Sequence, residues 1–349
     1  MDRPRNISVV VIARNEEKCI LKCLESLAAQ DYPREFFEVV LVDNASTDST
    51  STIAHEFIRT FPNLRVVENP IRGVAATRNA GIRAAKHDIV AFIDADCEAT
   101  VSWLSTLERV FREETANDSK VAAIGGPNVM PDDTTHFRRV VAVAVTNYYG
   151  NHGSVQAKVP GQRIEVDHLP TLNVMYDKNK VLEVGLFDEK QGNISEDVDM
   201  SHRLRSKGYR LLCEPSAVIS HRWREDIWSW MRNIEVYGKG RTWLMKKDRT
   251  HIKPQFAAPL LLLLACLMAL VVPMLCVLEL PEWFCVLLLA PLSTYVVLTL
   301  LMSIYACVSN GKPQYIPEVF IVYTVTHLSY GVGQIHGFLA KRGSDTSHR

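Results

Sequence analysis

Two long apolar stretches near the end of the chain restrict its possible folds more than any other feature. Residues 257–278 and 283–307 contain no charged side chain. Each is longer than the ~20 residues that a helix needs to cross a bilayer. A buried helical hairpin in a soluble protein is the alternative. The length and continuity of both stretches favour two transmembrane helices.

The charges that flank these stretches predict their orientation. A basic segment, residues 246–253, comes before the first stretch, and an acidic one, residues 279–282, lies between the two. Basic flanks stay on the cytoplasmic side. The soluble part of the chain is joined to the basic segment, so we expect it in the cytoplasm.

A third stretch, residues 316–339, is apolar but interrupted by polar groups. These are Glu318, His327, Gln334 and His336. It is either a third span or a re-entrant or interfacial helix. Of the two, we favour a span.

The first half of the chain alternates between strand and helix patterns. Strands are predicted at residues 7–13, 37–42, 64–68 and 88–93, and helices at residues 16–30, 50–60 and 75–85. This alternation predicts right-handed βαβ units and a mainly parallel sheet. Ligands of such sheets bind beyond the carboxyl ends of the strands. Polar clusters lie at those ends, at residues 13–16, 43–46 and 94–96.

Several other classes of protein are excluded. No glycine-rich dinucleotide fingerprint or P-loop follows the strands. The net charge of +0, from 39 basic and 39 acidic residues, gives no support to nucleic-acid binding. The eight cysteines form no CxxC pair, which indicates reduced thiols and not a disulfide framework or a zinc site.

Acidic residues after the fourth strand suggest a metal site. Asp94 and Asp96 are hard oxygen ligands that suit Mg²⁺ or Mn²⁺. Such an ion stabilises a diphosphate leaving group. The alternative is an acidic turn facing solvent, but its place after a buried strand favours the metal. His221, after a later strand, is a third ligand, a phosphate contact or a structural histidine.

Three other segments are candidates for nucleotide binding. Asp43 is placed to accept hydrogen bonds from a base. Asn15 and Glu16 either hold base or ribose or begin a helix. Arg78 lies among small residues at positions 73–81, where it either binds phosphate or is a surface side chain of a helix packed on the sheet.

Glu196 and Asp197 come before a helical pattern at residues 200–207. One of them is a candidate general base, because an attacking alcohol must lose a proton. The alternative is that Ser195 or Asp197 only caps the helix. Residues 185–192, before them, are expected to form a mobile loop.

Residues 222–243 are rich in tryptophans and cations. These are Trp223, Trp228, Trp230, Trp243, Arg222, Arg224, Arg232, Lys239 and Arg241. The pattern predicts a helix in the headgroup zone whose cations hold lipid-linked phosphates. A plain linker to the membrane is the alternative.

The order of these motifs resembles the family-2 inverting glycosyltransferases, which have the GT-A (nucleotide-diphospho-sugar transferase) fold. The resemblance covers roughly residues 7–241, through the motifs at residues 9–16, 42–48, 73–81, 94–96 and 196–197.

The resemblance implies a role for each matching residue. Ala13, Glu16 and Asp43 line the nucleotide pocket, Asp94 and Asp96 bind ribose, diphosphate and metal, and Asp197 is the base. Residues 125–128 and 172–173, with Gly126, Asn128 and Asn173, hold the acceptor and the donor sugar. A UDP-sugar is the favoured donor.

Two departures from the family pattern narrow the function. The QxxRW motif is missing, with residues 221–224 only a loose relative, and there are few spans. A processive synthase is therefore not expected. Polyprenyl-phosphate glycosyltransferases are the nearer rival, but their anionic acceptor needs no base, so Asp197 favours a hydroxyl acceptor. An inactive membrane scaffold is the alternative from another class.

Together these patterns predict an α/β GT-A domain at residues 1–220 and an amphipathic interfacial segment at residues 221–253. A membrane domain with two or three spans follows at residues 254–340, and a polar tail at residues 341–349. We expect a Mg²⁺- or Mn²⁺-dependent transferase that acts on a lipid-linked or membrane-associated acceptor. It is expected in the cell membrane of a prokaryote, with its catalytic domain in the cytoplasm.

Overall fold

The computed structural model of the chain describes residues 4–131, 134–151, 161–191, 194–277 and 281–341. The predicted tail beyond residue 341, and parts of the predicted loop at 185–192 and the link at 279–282, lie outside the described residues. The chain divides into two compact units. In the described residues, the first unit comprises 4–131 and 161–222, and the second comprises 134–151 and 223–341.

The strands belong to the first unit. They are β1 (Ile7–Ala13), β2 (Phe37–Asp43), β3 (Leu64–Glu68), β4 (Ile89–Asp94), β5 (Cys97–Ala99), β6 (Val121–Gly125), β7 (Asn128–Val129), β8 (Ile164–Glu165), β9 (Asn173–Asp177), β10 (Arg210–Cys213) and β11 (Ile219–His221). The larger sheet has the order β3-β2-β1-β4-β9-β6-β10-β8. Strands β1 to β4 are parallel to one another, whereas β9 is antiparallel to both of its neighbours.

The helices flank this sheet or form the second unit. They are α1 (Ile20–Ala28), α2 (Thr50–Phe57), α3 (Val74–Ala84), α4 (Trp103–Asn117), α5 (His136–Ala144), α6 (Tyr148–Asn151), α7 (Lys178–Glu183), α8 (Glu196–Ser206), α9 (Ile227–Lys247), α10 (Ala258–Val277), α11 (Glu282–Ser309) and α12 (Ile316–Leu339).

Strand β1 is the centre of the sheet and is buried on both faces. Val9, Val10 and Val11 have no exposed surface, as expected of a parallel strand covered by helices on both sides. The register pairs Ala13 with Asp43 on one side and Ile12 with Asp94 on the other. Three of the predicted polar strand ends therefore meet at one edge of the sheet.

Two predicted helices begin at other residues than expected. Helix α1 starts at Ile20 and not at residue 16. Before it, the N–H groups of Asn15, Glu16 and Glu17 bind the side chains of Ser46, Thr50 and Asp48. Helix α8 starts at Glu196 and so includes both acidic residues in its first turn, where the helix dipole stabilises negative charge.

A smaller sheet, with the order β5-β11-β7, brings distant segments of the first unit together. Its register places His221 opposite Cys97, the residue after Asp96. Strand β7 begins at Asn128, which pairs with Ile219. Residues from three separate motifs are thus neighbours.

The second unit has two helical segments long and apolar enough to cross a membrane, Pro254–Met274 and Glu282–Ser309. The third stretch forms α12, which is not among these candidate spans. Its prediction as a third span stays a prediction at this point.

The tryptophans of the second unit have different environments. Trp230 and Trp243 are buried, and the Trp230 indole donates a hydrogen bond to Thr326 on α12. Trp228 is exposed. Trp230 and Trp243 therefore pack the interior of this unit, and the prediction of a helix in the headgroup zone stays a prediction.

Glycines let α9 and α12 pack backbone to backbone, so a single methyl group should disturb them. A Cβ at Gly333 would lie 2.0 Å from the carbonyl oxygen of Glu235, a contact that only main-chain movement relieves. Gly333→Ala is expected to destabilise the protein by about 1–3 kcal/mol or more, measured as a lower thermal midpoint in detergent. Gly161→Ala is the control, because a Cβ at Gly161 has no atom within 4 Å. Equal midpoints for the two variants would contradict this account of the packing.

Candidate active site

The metal-binding candidates meet where β4 ends and β11 ends. Nε2 of His221 lies 3.4 Å from Oδ2 of Asp96. Ligands at roughly 2.1 Å from one ion are separated by about 3.0–3.4 Å, so this pair has the spacing of two metal ligands. The oxygen and imidazole donors fit Mg²⁺ or Mn²⁺.

Cys97 completes a group of three ligand types around this point. Burial, more than the neighbouring Asp96 and Asp94, raises the pKa of the Cys97 thiol well above its usual range. A neutral, soft sulfur is a poor ligand for Mg²⁺. Its Sγ lies 3.6 Å from Oδ1 of Asp96, where the thiol donates a weak hydrogen bond.

The Asp94 carboxylate is directed to Arg78 and not to this group. Its Oδ1 lies 3.4 Å from the guanidinium of Arg78. Burial raises the pKa of Asp94, Arg78 opposes this, and Asp96 raises it again, so the pKa lies above its usual value. Direct metal binding by Asp94 stays a prediction.

Arg78 joins two acidic motifs that are far apart in the sequence. It is buried on α3, and its guanidinium contacts both Asp94 and Glu196. It also lies over the ring of Phe187, 5.8 Å from the ring centroid. Two carboxylates already pair with Arg78, so its predicted phosphate contact stays a prediction, and the role that the structure shows is to join β4 to α8.

Asp197, in the first turn of α8, is next to a histidine that the sequence patterns did not single out. Nε2 of His168 lies 3.7 Å from Oδ2 of Asp197. Burial alone raises the pKa of Asp197, but His168 and the charge of Arg78 lower it more. The pKa therefore lies below the usual range, and Asp197 is ionised at neutral pH, as a general base must be.

His168 carries no recognisable motif. It lies between β8 and β9, and its spacing to Asp197 follows no helix or strand period. Only the approach of this segment to the start of α8 makes it a functional candidate.

The effect of His168 on Asp197 predicts a shift in pH dependence. His168 lowers the pKa of Asp197, so His168→Ala should raise it and move the acidic limb of the kcat/KM profile to higher pH. His168→Gln, which still donates a hydrogen bond but carries no charge, should shift it less. An unchanged acidic limb in His168→Ala would show that the two groups are not coupled.

The nucleotide-binding candidates form a hydrogen-bonded corner at the ends of β1 and β2. The buried Asp43 carboxylate accepts hydrogen bonds from the backbone N–H and the hydroxyl of Ser46. Asn15 has a φ of 56° and accepts a hydrogen bond from the N–H of Thr47. Glu16 and Ala13 lie in the same corner. These contacts fix the shape of the corner, and its binding of a nucleotide stays a prediction.

Asn173 uses its whole amide within the protein. It is fully buried, donates to the carbonyls of Pro127 and Ala217, and accepts from the indole of Trp103 at 2.8 Å. The role that the structure shows for Asn173 is to hold three segments together. Its direct contact with a donor sugar stays a prediction.

Gly126 and Asn128 lie in the same buried region. A Cβ at Gly126 would be 1.8 Å from the carbonyl oxygen of Ala217, so no side chain fits there. The Asn128 amide lies 3.4 Å from Nδ1 of His221, where it orients the imidazole. Acceptor binding by these two residues stays a prediction.

The predicted phosphate-binding arginines have separate surroundings. Arg222 ends the first unit and is half-buried. In the second unit Arg224 is half-buried, Arg232 is exposed on α9, and Arg241 lies over the ring of Phe256 at 4.3 Å. Their binding to phosphate stays a prediction.

Comparison with known proteins identifies the class. The sequence profile of glycosyl transferase family 2 matches residues 8–189, more than half of the chain. The chain therefore belongs to the family-2 glycosyltransferases, and it is an enzyme that transfers a sugar from a nucleotide-sugar.

Two archaeal relatives show how far the sequence similarity extends. Glycosyltransferase AglE of Haloferax volcanii is 29% identical over 258 residues, which cover 74% of this chain and 80% of that protein. A second relative comes from Methanococcus voltae and is 23% identical over 255 residues, 70% of this chain and 76% of that protein. It is a dolichyl N-acetyl-alpha-D-glucosaminyl phosphate 3-beta-D-2,3-diacetamido-2,3-dideoxy-beta-D-glucuronosyltransferase.

A solved structure confirms the GT-A fold class. The mannosyltransferase PcManGT from Pyrobaculum calidifontis, in complex with GDP-Man and Mn²⁺, matches 97% of this chain and 88% of that chain. The TM-score is 0.60 and the sequence identity 20%. The predicted α/β fold with a mostly parallel sheet and C-terminal apolar helices is confirmed.

Proposed function

We propose that this enzyme transfers a sugar, with inversion, from a nucleotide-diphosphate donor to a hydroxyl of a lipid-linked saccharide. The observation that carries the proposal is the contact of Arg78 with both Asp94 and Glu196. It brings the diphosphate-binding strand end and the acidic start of α8 into one site. Leaving-group stabilisation and proton removal are then available together.

The residues of the first unit supply the steps of this reaction. Asp43 accepts hydrogen bonds from the base of the donor, for which a UDP-sugar is favoured. Asp96 and His221 would hold the Mg²⁺ or Mn²⁺ ion. Such an ion would neutralise the charge that develops on a departing diphosphate.

Asp197 acts on the acceptor. Its carboxylate takes the proton of the acceptor hydroxyl while the oxygen attacks the anomeric carbon on the face opposite the leaving group. The bond to the new oxygen forms as the bond to the diphosphate breaks, so the configuration inverts. His168 keeps Asp197 ionised for this step.

A lipid-linked acceptor is supported by the kind of relative that the chain has. The Methanococcus voltae protein is by its name a transferase acting on a dolichyl sugar phosphate. The two candidate spans would hold this chain at a membrane where such an acceptor resides. The basic residues 246–253 support a cytoplasmic first unit by the positive-inside rule, on a protein anchored in the cell membrane of a prokaryote.

Metal dependence is tested by nucleotide binding. Wild-type protein is titrated with UDP and with GDP, each with and without Mn²⁺. For one of the two nucleotides, Mn²⁺ should tighten binding by about ten-fold or more. Asp96→Asn should lose that gain. Asp88→Asn is the matched control, since Asp88 is exposed just before the other end of β4. A gain that persists in Asp96→Asn would contradict the proposed metal site.

The acceptor is tested by mass spectrometry. Membranes containing the enzyme are incubated with a panel of sugar nucleotides, and the lipid extract is analysed. A sugar added to a lipid-linked saccharide supports the proposal. A monosaccharide attached directly to polyprenyl phosphate would replace it with the alternative acceptor.

A further inference from the structure

Helix α12 contacts both helices of the α10–α11 hairpin. On α10 it contacts the first turns, where Gly331 packs on Pro259 and Leu263 and Gln334 binds the carbonyl of Phe256. On α11 it contacts Tyr295, whose hydroxyl lies 3.1 Å from Nδ1 of His327. At 1.5 Å per residue these contacts lie about 20–32 Å from the hairpin tip, with Tyr295 the nearest to it and Phe256 the farthest.

The positions of these contacts on α12 give its direction. Those on α10 and those on α11 are separated by four to seven residues of α12, about 6–10 Å, the spacing of two neighbouring helices. Helix α12 therefore passes from one helix of the hairpin to the other over about 6–10 Å of its own length. Apolar side chains of the hairpin stay exposed along its length, at Leu261, Leu270, Val277 and Trp283.

Helix α9 lies beside α12 and parallel to it. Contacts advance together along both helices, from Trp230 with Thr326, through Glu235 with Gly333, to Lys239 with Gly337. Six charged side chains of α9 therefore follow α12 along this length. They are Arg232, Glu235, Lys239, Arg241, Lys246 and Lys247. A spanning α12 would draw these charges into hydrocarbon, which is strongly unfavourable.

The remaining face of α12 is an apolar stripe. It consists of Ile321, Val325, Leu328, Val332, Ile335 and Leu339, at alternating spacings of four and three residues. Ile321, Ile335 and Leu339 are exposed and the others half-buried. At about 100° per residue the stripe points roughly 150° away from the face that contacts α9 and roughly 110° away from the face that contacts the hairpin.

We propose that α12 lies in the plane of the membrane, on the cytoplasmic leaflet, with this stripe inserted among the acyl chains. Charged α9 then lies on its aqueous side, and the hairpin α10–α11 passes beside it as two spans. The exposed side chains of the hairpin are apolar as well, at Leu270, Val277 and Trp283, so the membrane that surrounds the hairpin also supplies lipid for the stripe. The inference rests on the membrane anchoring proposed above, and it places Lys341 on the same side as the first unit.

Depth measurements test the orientation. Bimane is attached to Ile321→Cys, Leu328→Cys and Ile335→Cys in the full protein in liposomes, and quenched by lipids spin-labelled at shallow or deep positions. The wild-type protein, with its eight cysteines, is labelled in parallel as background. We expect one shallow depth at all three positions. A spanning helix would show steps of about 10 Å between them, and that result would overturn the proposal.

Leu270→Cys separates failure of this inference from failure of the anchoring. Leu270 is exposed on α10, in the tip half of the hairpin. Deep quenching there, with uneven depths along α12, would refute the in-plane helix alone. Absence of deep quenching at this position would refute the membrane anchoring on which the inference rests.

Labelling from one side of sealed vesicles gives a second test. A membrane-impermeant maleimide should reach Lys341→Cys from the same side as Glu35→Cys, which reports on the first unit. It should reach Pro281→Cys, at the hairpin tip, from the other side. Wild-type labelling is again the background. Reaction of Lys341→Cys together with Pro281→Cys would mean that α12 spans the membrane and would overturn the proposal.

Discussion

Asp197→Asn is expected to lower kcat for sugar transfer by about 10²–10⁴-fold, the usual contribution of a general base. The amide has the size of the carboxylate but does not take the proton of the acceptor hydroxyl. The KM for the donor should change little, because Asp197 is assigned to the acceptor. Steady-state kinetics, with release of the nucleoside diphosphate monitored by mass spectrometry, would measure both constants.

Two other variants make this expectation specific. Asp167→Asn removes the exposed carboxylate next to His168 and should leave kcat unchanged. Glu196→Gln should act mainly by loosening Arg78, which Glu196 contacts. Near-normal transfer by Asp197→Asn that still binds nucleotide would refute the base assignment and favour an acceptor that is already anionic.

Arg78→Met is expected to destabilise the first unit by about 3–5 kcal/mol. Arg78 is buried between Asp94 and Glu196, and removing one partner of a buried ion pair leaves uncompensated charge. For a unit of this size the thermal midpoint should fall by roughly 6–20 °C. Thermal unfolding followed by circular dichroism or by intrinsic fluorescence would show the shift.

The cause of this loss is charge and not volume, so a second change should relieve it. In the double variant Arg78→Met with Glu196→Gln, part of the stability should return because one buried charge is gone. Arg83→Met is the matched control on α3, with an exposed side chain whose pair with Glu189 is worth little. If Arg78→Met lowered the thermal midpoint no more than Arg83→Met, the buried network of Arg78, Asp94 and Glu196 would not stabilise the protein.

The strand ends show what pattern alone predicts well. Asp43 and Asp94 follow apolar strands, and the carboxyl ends of parallel strands share one edge of a sheet. In agreement with that rule, Asp43 pairs with Ala13 and Asp94 pairs with Ile12, at the same end of β1. Antiparallel β9 between β4 and β6 was not foreseen, because its pairing partners are far away in the sequence.

The partners of individual side chains were the least predictable part. Arg78 and Glu196 are separated by 118 positions, and the ordered motifs gave no sign that they pair. Asn173 matched a ligand-binding position, yet its amide is used by Pro127, Ala217 and Trp103. A sequence position tells which chemical group is present, whereas its partner depends on which loops the fold brings together.

By itself the sequence determined the class of fold, the apolar hairpin and the edge of the sheet where the polar strand ends gather. These follow from local periodicity, hydrophobic length and charge, which act within one segment. Only the tertiary structure decided that Arg78 bridges two acidic motifs, that His168 adjoins Asp197 and that charged α9 runs parallel to α12. Each depends on contacts between segments far apart in the chain, and packing, not local pattern, sets those contacts.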